Sequence, residues 1–201
     1  MKRTAVLLSL LAFTAVPAFG QDTTTRIRGT IVSVQGKTLT VAAAGENRRI
    51  TLNDGFVVVS VVKSDLSKVV PGVFVGSAAT TEPDGTLMAQ EVHIFPESMR
   101  GTGEGSRPYD LGEHSSMTNG TVNPAAAQVE RVGEHTITIK YKDGEKKIVI
   151  SADTPIVEYE PADAKQLVPG AHVYVVAQRA ADGSLSTMRV NVGKNGLVPP
   201  M

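Results

Sequence analysis

The chain has 201 residues, with 20 Lys and Arg against 20 Asp and Glu, no Cys, no Trp and 4% aromatic residues. No disulfide framework or cysteine-ligated metal centre is available, and the balanced charge supplies no basic stripe of the kind a nucleic-acid partner needs to displace counterions. Scarce aromatics also argue against stacking on bases or sugars.

Residues 1–20, MKRTAVLLSLLAFTAVPAFG, open with Lys2 and Arg3, run apolar from Ala5 to Val16, and end with Pro17, Ala18 and Gly20. This layout predicts a secretory signal peptide and a periplasmic or secreted location. The apolar run is shorter than the roughly 20 residues of a spanning helix, and no later stretch reaches that length. No transmembrane insertion is expected, and the mature chain is expected to be soluble. No Cys follows the leader, so a lipid-anchored form is excluded. Loss of Lys2 and Arg3 with the leader leaves a small acidic excess.

From Val34 onward the chain matches itself at an offset of 98 residues, through Ile94 on Val192. VPG at 70–72 falls on VPG at 168–170, DG at 84–85 on DG at 182–183, and Asp65 on Asp163. Thr38, Thr40, Ile50, Val75, Leu87 and Val92 also meet identical residues, and GTI at 29–31 corresponds to GTV at 120–122. A match of this length points to a duplicated unit. Within the first copy, period-two apolar spacing predicts strands near Arg28–Val34, Thr38–Ala44, Arg48–Leu52, Val57–Val62, Val73–Thr80 and Leu87–Phe95. DLSKVVPG, and DAKQLVPG in the second copy, predict one Asp-capped helical turn stopped by Pro-Gly.

Three strands, a short helix and two strands form the connectivity of an OB-like barrel, whose closure hides sheet edges. The predicted fold is all-β: a tandem repeat of two small OB-like β-barrels, at 21–96 and 118–196, with a C-terminal tail at 197–201. A long Gly/Pro-rich connection at 97–117 joins them. Competing architectures are two small β-sandwiches, or one barrel running through both copies.

The connection lies within HIFPESMRGTGEGSRPYDLGEHSSMTNGT, residues 93–121. Loops longer than about 12–15 residues are usually functional or disordered. Here Arg100, Arg107 and Tyr109 sit among glycines, with Glu104 and Asp110 able to pair with those arginines. Tyr109, beside Pro108, is expected to dock on an apolar surface. Arg100, Arg107, Tyr109 and Asp110 form the candidate contact surface.

HIFPESMRGTGEGSRPYDL followed by SMTNGTV resembles a segment of an uncharacterised bacterial family of exported proteins with OB-like domains of unknown function. The resemblance covers nearly the whole mature chain and rests mostly on this segment. It implies an OB-like fold and supplies no catalytic or binding residues. Some relatives bear the label "metal ABC transporter permease", but a permease needs several spanning helices, which this sequence lacks.

His93, Met99, His114 and Met117 lie in or beside the connection, and imidazole with thioether donors suits copper in an exported chain without Cys. Carboxylates Glu97, Glu104, Asp110 and Glu113 offer a harder set. No two of these donors stand in a recognised metal spacing. GTGEGS opens no helix and precedes no Lys-Ser or Lys-Thr, so dinucleotide and P-loop chemistry are unsupported. His114, Ser115 and Ser116 are sequence neighbours whose side chains point apart, and no G-x-S-x-G elbow is present. Arg48-Arg49 and Lys146-Lys147 share one repeat position and read as a solvated strand edge. The expected function is non-catalytic: a binding or scaffolding module of the bacterial envelope, without a cofactor, whose partner is an envelope protein or a small ligand. The alternative is a periplasmic metal-binding protein.

Overall fold

The computed structural model describes residues 23–123, 128–131 and 134–201. The signal peptide predicted at 1–20 lies outside the described residues. The chain forms strands β1 (Thr23–Gln35), β2 (Thr38–Ala43), β3 (Glu46–Lys63), β4 (Phe74–Thr81), β5 (Leu87–Ile94), β6 (Gly105–Pro108) and β7 (Ser115–Val122). The second half continues with β8 (Gln128–Arg131), β9 (Glu134–Tyr141), β10 (Gly144–Ser151), β11 (Ile156–Ala162), β12 (His172–Arg179) and β13 (Leu185–Gly193). The all-β class is as the sequence predicts, and no helix among the described residues is long and apolar enough to cross a membrane.

Local chemistry explains the elements. Leu39 and Val41 on β2, and Ile148 and Ile150 on β10, are buried at alternate positions, as a strand with one face on a core requires. In each copy an Asp caps a single 3-10 turn: Asp65 accepts from the Ser67 N–H at 2.9 Å and Asp163 from the Lys165 N–H at 2.7 Å. Gly29 and Gly120, the glycines of the matching GT pairs, let neighbouring backbone approach. A Cβ on Gly29 would stand 2.1 Å from the Ala42 carbonyl oxygen, and one on Gly120 would stand 2.3 Å from that of Lys140.

Strand pairing departs from two self-contained barrels. β1 pairs β2, β2 pairs β3, β3 pairs β13 in parallel, β13 pairs β12, and β12 returns to β1, closing a five-stranded barrel. A second ring of pairings runs β7–β4–β5–β10–β9–β7, with β5 and β10 joined through Met88 and Val149. Each ring keeps the expected OB-like order, yet takes three strands from one half of the chain and two from the other. The boundaries at 21–96 and 118–196 therefore do not separate closed units. Residues 98 apart occupy matching places in this exchange: Val58 lies opposite Val190 as Ile156 lies opposite Val92.

The long third strand causes the crossing. Two separate pieces, Arg48–Leu52 and Val57–Val62, were expected where β3 runs unbroken, because Gly55 at φ +75° bends the strand without ending it. Opposite this bend the register with β13 jumps from Leu52–Thr187 to Val57–Arg189, so residues 53–56 bulge out of the ladder. Past the bulge, Val58, Val59, Ser60 and Val61 are all buried, the mark of a strand covered on both faces. This stretch pairs antiparallel with β11 and carries the chain into the other ring.

Ile27, Leu39, Ile50, Val175 and Val190 fill the first barrel, and Val75, Val92, Ile139, Ile148 and Ile150 fill the second ring. A third cluster joins Val59, Val61, Phe74, Phe95, Val157, Tyr159, Tyr174 and Met201 at the seam. Residues 197–201, expected as a tail, supply Leu197 and Met201 to this seam.

Candidate ligand cavity at the seam

The connection forms one wall of the seam. After a 3-10 turn at Glu97–Met99, β6 pairs with β7. Arg100 donates to both carboxylate oxygens of Glu97 at 2.5 and 2.7 Å, to the Gly72 carbonyl at 3.0 Å and to Thr121 Oγ1 at 3.2 Å. These bonds tie the turn to the second ring.

Tyr109 and Asp110 then reach across to the first barrel. The Tyr109 hydroxyl meets that of Tyr174 at 2.9 Å, and the Arg26 guanidinium lies 4.6 Å from the Tyr109 ring centroid. Asp110 accepts a two-pronged bond from Arg28, at 2.7 and 3.0 Å. That bond holds the Asp110 carboxyl below its ordinary range, while burial pushes the Tyr109 and Tyr174 phenols up. Sequence reasoning paired Glu104 and Asp110 with Arg100 and Arg107; instead Asp110 pairs with Arg28 of β1, and Arg100 with Glu97. β1 is remote in sequence, so the local spacing of charges carried no trace of this partner.

Between the rings lies a cavity of about 700 Å³, within the size range of small-molecule sites. Arg26 of β1, Arg107 of the connection and Arg189 of β13 line it, together with His93, Tyr109, Met117, Asn119, Tyr159, Tyr174, Thr187 and Asn191. The β3 bulge contributes Asn53 and Gly55. Val57, Val176 and Met188 line it too and are themselves solvent-exposed, giving an apolar rim. Arg107 donates to the Gly103 carbonyl at 2.8 Å, and neither Arg107 nor Arg189 forms an ion pair among the described residues. Burial, with the nearby charge of Arg26, draws the Arg107 guanidinium below its ordinary range.

Two buried asparagines line the same space, and the amide oxygen of each lies covered within the wall without a hydrogen-bond donor. Asn119 donates through Nδ2 to the Thr102 carbonyl at 3.0 Å, and Asn191 to the Tyr174 carbonyl at 3.1 Å. Because those partners are acceptors, each amide must present its nitrogen to them, which leaves Oδ1 of both residues without a donor.

His93 is stacked on Tyr159 at 5.0 Å and meets the edge of Phe95 at 4.8 Å. Its Nδ1 lies 2.9 and 3.1 Å from the two carboxylate oxygens of fully buried Glu91. Its Nε2 sits over Gly76, where a Cβ would come within 2.1 Å of that nitrogen and 2.5 Å of Asn119 Oδ1. Glycine at position 76 is what allows the ring to lie flat there.

The structure sorts the residues singled out from sequence. Arg107 and Tyr109 line the cavity, whereas Arg100 and Asp110 are held in internal pairs. Of the metal candidates, His93 and Met117 line the cavity. Met99 packs against the seam cluster, and His114 borders a separate shallow depression with Ser115 and Ser116. The four do not meet, and the described residues hold no group of three or more His, Cys, Asp or Glu side chains placed for a metal ion.

Arg26, Arg189, Asn119, Asn191, Tyr159 and Tyr174 were not singled out. A signal for several was present in the offset: EVHI at 91–94 stands where RVNV stands at 189–192, and TRIRGTI at 25–31 where SMTNGTV stands at 116–122. In the first match the apolar positions persist while the polar ones change type, and in the second Arg26 stands where Met117 does and Ile27 where Thr118 does, so two matching faces build one unlike-sided cavity. No protein-family model matches the chain, and neither a curated protein nor a solved structure shows significant similarity to it.

Proposed function

We propose that this is a non-catalytic binding protein of the bacterial envelope whose ligand occupies the cavity between the two rings. One observation carries the reading: a seam cavity large enough for a small molecule is lined by three guanidinium groups, two of them without an ion pair among the described residues, and by two buried amides whose oxygens lack a donor. Burying polar and charged groups without partners costs free energy, and a cognate ligand would offset that cost. The exported location rests on the leader-like residues 1–20 and on the family resemblance of the connection.

Amide chemical-shift mapping of the full mature chain with a fragment library tests the assignment. Fragments that bind should shift resonances at Asn119, Tyr159, Tyr174 and Asn191. Hits mapping only to outer barrel faces would overturn it. The metal-binding alternative draws on His93 and Met117 sharing the cavity, but Arg26, Arg107 and Arg189 face the same space and oppose a cation. Titration of metal-free protein with copper(I), zinc and calcium decides it, binding tighter than about 10 μM being the threshold.

A further inference from the structure

We infer that the cavity ligand is a small organic anion, a carboxylate or a phosphate ester, that also carries a hydrogen-bond donor. Its anionic group would sit among Arg26, Arg107 and Arg189, and its donor would reach the unpartnered amide oxygens of Asn119 and Asn191 once the side chains covering them turn aside. This rests on the cavity being the ligand site, and adds the chemistry of what enters it.

The charge balance of the wall comes first. Arg26 approaches Asp110 only to 3.9 Å, and both oxygens of that carboxylate are engaged by Arg28. Arg107 has a backbone carbonyl as its side-chain partner, and Arg189 has no ion pair among the described residues. Three guanidinium groups thus line one space, and Asp110 and the Glu91 carboxylate behind His93 are not among the residues lining it. Unneutralised cations in a partly desolvated site favour an anion, and arginine's planar fork suits carboxylate and phosphate oxygens. The downward displacement of the Arg107 pKa has the same origin, since an anion would relieve both its burial and its repulsion from Arg26.

Hydrogen-bond accounting then narrows the class. Asn119 and Asn191 are 4% and 5% exposed, and each has spent its amide nitrogen on a backbone carbonyl. Their oxygens can only accept and are covered from the cavity in the free protein, so a ligand that turns the covering side chains aside satisfies them with a hydroxyl or N–H. Tyr159, Tyr174 and Met117 supply flat and apolar wall for a carbon framework. A cavity of about 700 Å³ is far larger than an inorganic anion needs.

The test uses the full mature chain, titrated with 4-hydroxybenzoate, glucose 6-phosphate, benzoate and 4-hydroxybenzyl alcohol. Calorimetry reads all four titrations, and for glucose 6-phosphate, which has no aromatic chromophore, emission from the three of four tyrosines that line the cavity is a second readout. At least one of the first two probes should bind. Which of them does distinguishes carboxylate from phosphate. Benzoate, lacking a donor, should bind at least tenfold more weakly than 4-hydroxybenzoate if the carboxylate is the match, and the neutral alcohol should not bind.

Arg107→Met should weaken the best probe at least tenfold and Arg107→Lys less so. Unchanged circular dichroism of both variants guards against misfolding. Equal binding of the neutral alcohol and the acid, with shifts at the cavity residues, would overturn the ligand class and leave the site standing. Failure of both anionic donors to bind would also overturn the class. The site itself falls only if the fragment library leaves those residues unmoved as well.

Discussion

Val61 of β3 pairs across an antiparallel ladder with Tyr159 of β11, the residue 98 positions further along the chain. The ladder is symmetric about this pair: Val59 lies opposite Pro161 as Val157 lies opposite Lys63, and each partner maps onto the other pair by the same offset. A local two-fold axis therefore passes between Val61 and Tyr159, both buried in the seam. Tyr159 also lines the cavity, so one pseudo-symmetric centre supports a site that occurs once.

Strand exchange predicts how half the chain behaves. A fragment of residues 23–95 carries β1 to β5 but lacks β12 and β13, which complete its barrel. Two copies can satisfy one another by trading β4 and β5, an intermolecular form of the same exchange. Light scattering after size exclusion should give twice the fragment mass. A folded monomer would show that the crossing is not encoded in β3.

The Arg28–Asp110 bond should make stability pH-dependent. Asp110 has a lowered pKa in the folded state, so its contribution is present in full above the ordinary aspartate value of 3.8 and fades as pH falls through the lower folded value. Asp110→Asn should cost about 1 kcal/mol at pH 7, the partial exposure of the pair limiting the figure. The gap between parent and variant, measured by urea melts at several pH values, should narrow as pH falls below the ordinary aspartate value and close once pH lies below the folded one. A gap independent of pH would mean the carboxylate charge plays no part.

Glu91 is fully buried and accepts from the Ala78 N–H at 3.3 Å as well as contacting His93. Glu91→Ala would strand both donors, a loss of about 3 kcal/mol. Chemical denaturation checks this, and a change under about 0.5 kcal/mol would remove the pair as a support of the cavity wall.

The β2–β3 hairpin holds a stabilising opportunity. Its two turn residues, Ala44 and Gly45, have φ of +50° and +83°, and alanine pays a steric cost in this region that asparagine largely avoids. Ala44→Asn should raise stability by about 0.5–1 kcal/mol, seen as a melting point about 2 °C higher. A lower melting point would indicate that the turn relaxes away from the left-handed region.

Much of the fold can be read from residue order. Period-two spacing located most strands, and the 98-residue offset located the matching caps at Asp65 and Asp163. Alternation specifies which face of a strand is buried, not which of two similarly patterned neighbours covers it. β4 and β12 share Val75 with Val173, and β5 and β13 share Val92 with Val190, so either pair satisfies the same pattern. The choice falls to β3, where Val58–Val61, inside the run read as one more short strand, is a bridge covered on both sides. The cavity was legible only where chemistry stands out locally, at Arg107, Tyr109, His93 and Met117. Arg26, Asn119 and Arg189 acquire meaning only once β1, β7 and β13 converge.

The crossing also dictates when the molecule can take shape. Thr23 at the start of β1 sits opposite Arg179 on β12, and β3 waits for partners as late as Gly193. The first barrel cannot close until β13 has been made, whereas every strand of the second ring, β4, β5, β7, β9 and β10, is already present by Ser151. Such distant pairings slow folding.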